Sequence, residues 1–277
     1  MRGRVRVLAP TTLEVALSIG RARRNRGGMT VLLVHGHPFD HTLWDPQAAA
    51  LRAAGYHVIA PDLRGYGAAP PPDGDVTLLS DFAADLAAEL DRHGVDRAVV
   101  GGVSMGGQIT MEFHRLFPER VAGLILADTS PVADDEAGRR LRHATADRLL
   151  AEGMTGYAGE VLDRMITPYH VIEKPAVAAH VRRMMLGTAP KGAAAALRGR
   201  AARPDYRAGL ATVRVPTLVL VGAEDAYTPL DQAELTASLV ADSELVVVDR
   251  AGHLPGLEQP EVVNEALLRF LARAGAR

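Results

Sequence analysis

Apolar positions fall into two kinds of stretch along the chain. Six short runs are dense in Val, Ile and Leu: "TVLLVH" (30–35), "HVIAPD" (57–62), "RAVVGGVS" (97–104), "VAGLILAD" (121–128), "PTLVLVGAED" (216–225) and "SELVVVDRAGH" (243–253). Runs that are apolar at successive positions predict strands buried on both faces, as in a parallel sheet covered by helices. Between them, "DPQAAALRAAG" (45–55), "LLSDFAADLAAELDRHG" (78–94) and "GQITMEFHRLFPER" (107–120) have helical spacing, with Gly55 and Gly94 as C-terminal stops. The alternation predicts an α/β protein with a mostly parallel central sheet flanked by helices.

The pattern breaks once. From about 131 to 210 no strand-like run occurs; "DDEAGRRLRHATADRLLAEG", "GYAGEVLDRMI", "AVAAHVRRMML" and "GAAAALRGRA" read as short helices separated by Gly and Pro. A helical insert between two strands of one sheet is expected to form a cap over a single core, so the division is core at 1–130 and 211–277 and lid at 131–210. No internal repeat is present.

Composition adds exclusions. With 277 residues, nearly half of them apolar, and a formal net charge of −2, the chain has an ordinary globular balance and no basic footprint for nucleic acid. The short basic run "RARRNR" (21–26) reads as a solvated loop. Cysteine is absent, which removes disulfides, thiolate zinc sites and a cysteine nucleophile. The N-terminal Arg2, Arg4 and Arg6 precede a segment broken by Pro10, Thr11, Thr12 and Glu14, not a signal-peptide core, and no apolar run reaches membrane-spanning length. The expected setting is the cytoplasm, with no membrane partner.

Chemistry concentrates at strand ends. Gly102-Val103-Ser104-Met105-Gly106 is a G-x-S-x-G pentapeptide between a predicted strand and a predicted helix. In that context it describes a strained turn that exposes the serine hydroxyl above the sheet. A serine needs a base to take its proton, and the base needs an acid to fix its tautomer. Asp225 and His253 follow the last two predicted strands, in the order Ser, Asp, His. Asp128, which ends "VAGLILAD", competes for the acid's place; otherwise it is an N-cap or hydrogen-bond acceptor. The backbone N–H groups of Met105 and of the loop after "TVLLVH" are expected to stabilise a developing oxyanion. The segment "HGHPFDH" (35–41) also evokes a dinuclear zinc signature, but Pro38 and Phe39 place Asp40 one residue too far from His37, so no metal is expected and serine acyl transfer needs no cofactor.

These features together resemble the α/β-hydrolase superfamily over nearly the whole chain. "HGHP" resembles its oxyanion loop, which places the second donor on the His37 N–H; "APDLRGYG" (60–67), "GVSMGG" and "AGHLPGLEQPE" (251–261) resemble the stretch after the next strand, the nucleophile turn and the histidine loop. "GAEDAYTP" is similar to the usual acid loop, which favours Asp225 over Asp128. Serine at 104 separates the chain from aspartate-nucleophile dehalogenases and epoxide hydrolases. Neither Lys174 nor Lys191 lies near a catalytic strand end, as a hydroxynitrile lyase requires. Leu254 stands where ring-cleavage carbon–carbon hydrolases usually carry Trp.

The resemblance is strongest to small carboxylesterases and enol-lactonases, and implies hydrolysis of a small-molecule ester or lactone through an acyl-enzyme on Ser104. The alternative is a non-hydrolytic protein of the same fold, catalysing a cyclisation or elimination or binding a small molecule. Trp44 is expected to pack behind the oxyanion loop or to wall the pocket. Met154, Met165, Tyr169, His170, Met184 and Met185 fall in the insert, as pocket lining or as its core.

Overall fold

In the computed structural model the described residues are the backbone of 4–8 and residues 28–275; the basic run at 21–26 and the segment from Pro10 to Glu14 lie outside them. The strands are β1 (Arg4–Leu8), β2 (Thr30–Val34), β3 (His57–Ile59), β4 (Ala98–Val103), β5 (Val121–Ala127), β6 (Thr217–Gly222) and β7 (Ser243–Val248). They form one sheet in the order β1-β7-β6-β5-β4-β2-β3, and every neighbouring pair is parallel. All six predicted strands are present. The seventh, β1, has the sequence RVRVL; charge alternating with aliphatic residues leaves no continuous apolar run by which to recognise it.

Helices α1 (Asp45–Ala53) and α12 (Pro260–Ala274) cover one face of the sheet, and α2 (Leu79–Arg92), α3 (Met105–Leu116) and α10 (Leu230–Leu239) the other. Successive strand residues go to opposite sides, which is why their runs are continuously apolar. Val31 and Leu33 join Leu51, Leu267 and Phe270, while Leu32 and Val34 join Phe82, Leu86, Ile109 and Phe113. Gly55 and Gly94 end α1 and α2 at φ 92° and 64°, the left-handed conformation that glycine adopts without a Cβ penalty.

Between β5 and β6 lie α4 (Glu136–Glu152), α5 (Met154–Met165), α6 (Pro168–Glu173), α7 (Pro175–Gly187), α8 (Pro190–Ala201) and α9 (Arg207–Leu210). Helix α6 was not expected, because six residues are too few to show a helical period. Asp135 caps α4 by accepting from the Gly138 N–H. Met165, Val181, Met184 and Met185 share a cluster with Trp44 and Phe270 of the sheet layer; Met154 packs with Ala146, Leu149 and Leu197 inside the insertion. These methionines are core. Helix α8 presses on the loop after β3: a Cβ at Gly192 would lie 2.2 Å from the Gly65 carbonyl oxygen, and one at Gly199 1.7 Å from that of Thr77. The short helix α11 (Pro255–Glu258) precedes α12. No helix among the described residues is long and apolar enough to cross a membrane.

The chain leaves β3 at one edge and returns to place β4 on the other side of β2. Loops after β2 and β4 therefore diverge at the carboxyl edge of the sheet, the position at which open parallel sheets form their binding crevice.

Candidate active site

Ser104 joins β4 to α3 with φ 57° and ψ −118°, a conformation costing about 1–3 kcal/mol for a residue with a Cβ. Its backbone is held on both sides: the Ser104 N–H donates to Ala127 O at 2.9 Å, and Ser104 O accepts from Gln108 N at 3.1 Å and Thr129 Oγ1 at 2.8 Å. The flanking glycines permit the turn. A Cβ on Gly102 would meet the Gly106 carbonyl at 2.2 Å, and one on Gly106 would meet Val34 O at 2.2 Å. The loop after β2 comes as close, since a Cβ on Gly36 would lie 3.3 Å from that of Ser104. Among the described residues, neither the His37 nor the Met105 N–H has an acceptor.

His253 follows β7 and is buried. Its Nδ1 donates to Asp225 Oδ2 at 2.8 Å, which leaves Nε2 without a partner among the described residues. Asp225 is fixed in turn by Tyr227 N and Thr228 N, which donate to its Oδ1 at 2.7 and 3.0 Å. The Tyr227 ring stands 5.0 Å from the imidazole. Val103 and Leu254, the neighbours of Ser104 and His253, line one small cavity of about 20 Å³ together with Asp128.

Asp128 has φ 45° and caps no helix. Its Oδ1 accepts from Gly222 N at 2.9 Å, and its carbonyl accepts from Thr228 Oγ1 at 3.1 Å. Reactive atoms of Asp128, Asp225 and His253 all lie within 4.8 Å of one another. Burial first, and the adjacent Asp225 second, push the Asp128 carboxyl well above the usual carboxylate range. As a neutral acid it can donate from Oδ2 to Asp225.

The remaining histidines of the 35–41 segment point to separate partners. His35 donates from Nδ1 to Gly36 O and accepts at Nε2 from Leu63 N; burial lowers it to about 4. His37 Nδ1 is hydrogen-bonded to the Tyr66 hydroxyl at 2.8 Å, and burial followed by the charges of Arg200 and Arg142 lowers it well below the usual histidine range. His41 bonds to Asp62 through both its backbone and its ring. Their imidazoles do not converge on a common ligand point. Trp44 is buried in the cluster beneath the site, and Tyr169 donates to Glu224 at 2.7 Å.

Sequence reading missed Glu258. It is fully buried, its Oε1 accepts from Gly252 N at 2.7 Å, and its Oε2 accepts from Thr167 N, Thr167 Oγ1 and His170 Nδ1. His170, expected in a pocket or an insert core, instead completes this clamp between the insertion and the histidine loop. The signal was an acid inside the otherwise apolar "HLPGLEQP". Gln108 and Arg200 were missed as well; Arg200 Nε on α8 donates to Gln108 Oε1 on α3, the helix that begins after Ser104, at 3.1 Å.

The profile of the Alpha/beta hydrolase family matches residues 31–266. The chain belongs to the alpha/beta hydrolase family. Within it, the chain is 39% identical to a thermophilic esterase from Thermogutta terrifontis, solved with malate bound, with a TM-score of 0.87 over 89% of this chain and 90% of that one. It is 27% identical to 3-oxoadipate enol-lactonase 2 of Acinetobacter baylyi over 84% of each chain. A putative carbamate hydrolase of Azorhizobium caulinodans is 32% identical over 88% of this chain and 91% of its own. Alpha/beta hydrolases of this group thus carry names for hydrolysis at a carbonyl carbon.

Proposed function

We propose that this alpha/beta hydrolase cleaves a carboxylic ester or lactone through an acyl-enzyme on Ser104. The observation that carries the reading is the buried His253–Asp225 hydrogen bond of 2.8 Å on the sheet edge that also bears the strained, partly exposed serine turn. Ser104 Oγ attacks the carbonyl carbon while His253 Nε2 takes its proton; Asp225 holds the tautomer and stabilises the imidazolium. The free N–H groups of His37 and Met105 receive the oxyanion. His253 returns the proton to the departing alcohol oxygen, and water repeats the sequence to release the acid. Residues 131–210 serve as the lid that excludes bulk water, over a core of 1–130 and 211–277. The esterase, lactonase and carbamate hydrolase names of the relatives support the same carbonyl chemistry.

The test is hydrolysis of 4-nitrophenyl butyrate by wild type and Ser104→Ala, with fluorophosphonate labelling read by intact mass. Wild type is expected to turn over and to gain one adduct, and Ser104→Ala to lose about 10⁴-fold or more in rate together with the adduct. Equal rates in the two proteins, or no adduct on wild type, would show that Ser104 is not an activated nucleophile.

A further inference from the structure

Three guanidinium groups gather where α4 and α8 meet the core, around one carboxylate. Asp134 accepts from Arg142 Nη2 at 3.1 Å and from Arg203 Nη1 at 2.6 Å, and Arg142 Nε bonds it as well. Burial raises the Asp134 carboxyl, but these arginines outweigh it and hold the group at about 2, so the carboxylate is committed to them. Among the described residues Arg200 makes no hydrogen bond to it and feels it only as a more distant charge.

Arg200 is the third cation, and only 9% of its surface is exposed. Its one side-chain bond, from Nε, goes to the neutral amide oxygen of Gln108; among the described residues neither Nη donor meets an acceptor. Burial, and then the charges of Arg142 and Arg203, work against its charged form, yet a guanidinium does not give up its proton in a protein. A buried cation with no anion hydrogen-bonded to it, sharing a single carboxylate with two other arginines, is costly unless something else supplies the anion. The fork it leaves open matches the two oxygens of a carboxylate.

The location ties this vacancy to the reactive serine. Gln108 lies on α3 four residues beyond Ser104, about 6 Å along the axis, and its N–H donates to Ser104 O. After burial, the charge of Arg200 weighs most on the His37 ring and on Tyr157, whose ring is 6.2 Å from that of His37. Through Gln108 the open donors are tied to the start of the helix that Ser104 begins.

We propose that the substrate carries a free carboxylate at the end away from its scissile carbonyl, and that Arg200 is the residue that receives it. This rests on the ester-hydrolase reading and narrows it to acidic esters or lactones. Arg200 is a specificity residue in this account; Gln108 orients it.

The experiment compares monoethyl glutarate with its neutral isostere ethyl 4-carbamoylbutanoate by pH-stat, and measures the Tm shift produced by glutarate. Wild type is expected to favour the acid at least tenfold in kcat/KM, mainly through KM. In Arg200→Met that ratio falls to about one, and Arg200→Lys, which keeps the charge but not the fork, lies between. Glutarate is expected to raise the Tm of wild type and not that of Arg200→Met, provided both show the same circular dichroism. A wild-type ratio near one overturns the proposal, as does a ratio that Arg200→Met leaves unchanged while slowing both esters, the mark of a merely structural arginine. Should neither ester be cleaved and no fluorophosphonate adduct form, it is the hydrolase reading that fails. The Tm arm then decides for Arg200 alone, and absence of a glutarate shift overturns the anion site.

Discussion

Asp225 and Asp128 are alike in type and in burial, and differ in what surrounds their oxygens. Asp225 accepts two backbone N–H bonds and the His253 imidazole, whereas Asp128 accepts one N–H at Oδ1 and faces another carboxylate. Two carboxylates this close do not both ionise readily, so the one with fewer donors keeps its proton. Asp225→Asn is expected to lower kcat by about 10⁴-fold, since an amide cannot stabilise the imidazolium. Asp128→Asn replaces a neutral acid by a neutral amide able to make the same two bonds, so the imidazole keeps its partner and kcat is expected to change by less than about tenfold. The sign of its stability effect follows from linkage: a carboxyl raised on folding costs nothing below its unfolded value near 3.8 and progressively more as pH rises. The Tm of Asp128→Asn should therefore exceed that of wild type at pH 7, with the gap closing towards pH 4. A stabilised, inactive Asp128→Asn would instead make Asp128 the working acid.

At the scale of elements, the histidine loop is held by more than its own turn. Glu258 on α11 joins the N–H of Gly252, adjacent to His253, to Thr167 and His170 at the start of α6, and Lys174 Nζ bonds the Glu258 carbonyl. Removing a partner from so buried a group costs about 3–5 kcal/mol. Glu258→Gln keeps the shape but cannot serve every donor, so a loss of about 3 kcal/mol in chemical denaturation is expected, with kcat falling more than KM rises because the imidazole loses its alignment. An unchanged kcat would mean that the clamp stabilises the insertion without orienting His253. The strands and long helices of this framework were legible because burial on two faces and helical periods leave strong marks. The turn at Ser104, with Asp225 and His253, was legible because each sits at the end of such a strand. Glu258, Gln108 and Arg200 were not: each acts across elements 90 or more residues apart in sequence, and no local period records such a meeting. Edge strand β1 escaped for the opposite reason, a local pattern too polar to stand out.

For the whole molecule, acid stability is governed by protons that folding excludes or retains. His35 is lowered to about 4 by burial, and His37 is lowered well below the usual histidine range by burial and by Arg200. Both favour the folded state fully above their unfolded value near 6.5 and lose that contribution as pH falls towards the folded values. Asp128, raised by burial and by Asp225, acts in the opposite sense over much of that range and offsets part of the slope that the two histidines give between pH 6 and pH 4. His114, lowered by burial, and His41, raised because burial is outweighed by its bond to Asp62, offset each other. Urea denaturation across this interval should show the slope in wild type and a nearly flat profile in His35→Gln. An equal slope in both would place the acid sensitivity elsewhere. The stability supplied by the Arg142–Asp134–Arg203 group is complete above about pH 4 and is lost as pH falls from the unfolded carboxyl value near 3.8 towards the folded value of about 2, so the two effects separate on the pH axis.

The insertion at 131–210 is not a detachable module. Its methionines complete the same apolar cluster as Trp44 and Phe270, and Gly192 and Gly199 fit against Gly65 and Thr77 with no room for a methyl group. Exchanging residues 131–210 for the corresponding piece of a relative would thus transplant half of a fitted joint. A chimera would need the loop from Asp62 to Leu78 and the floor around Trp44 to travel with it, which makes substrate range in this protein something to be recombined in paired blocks.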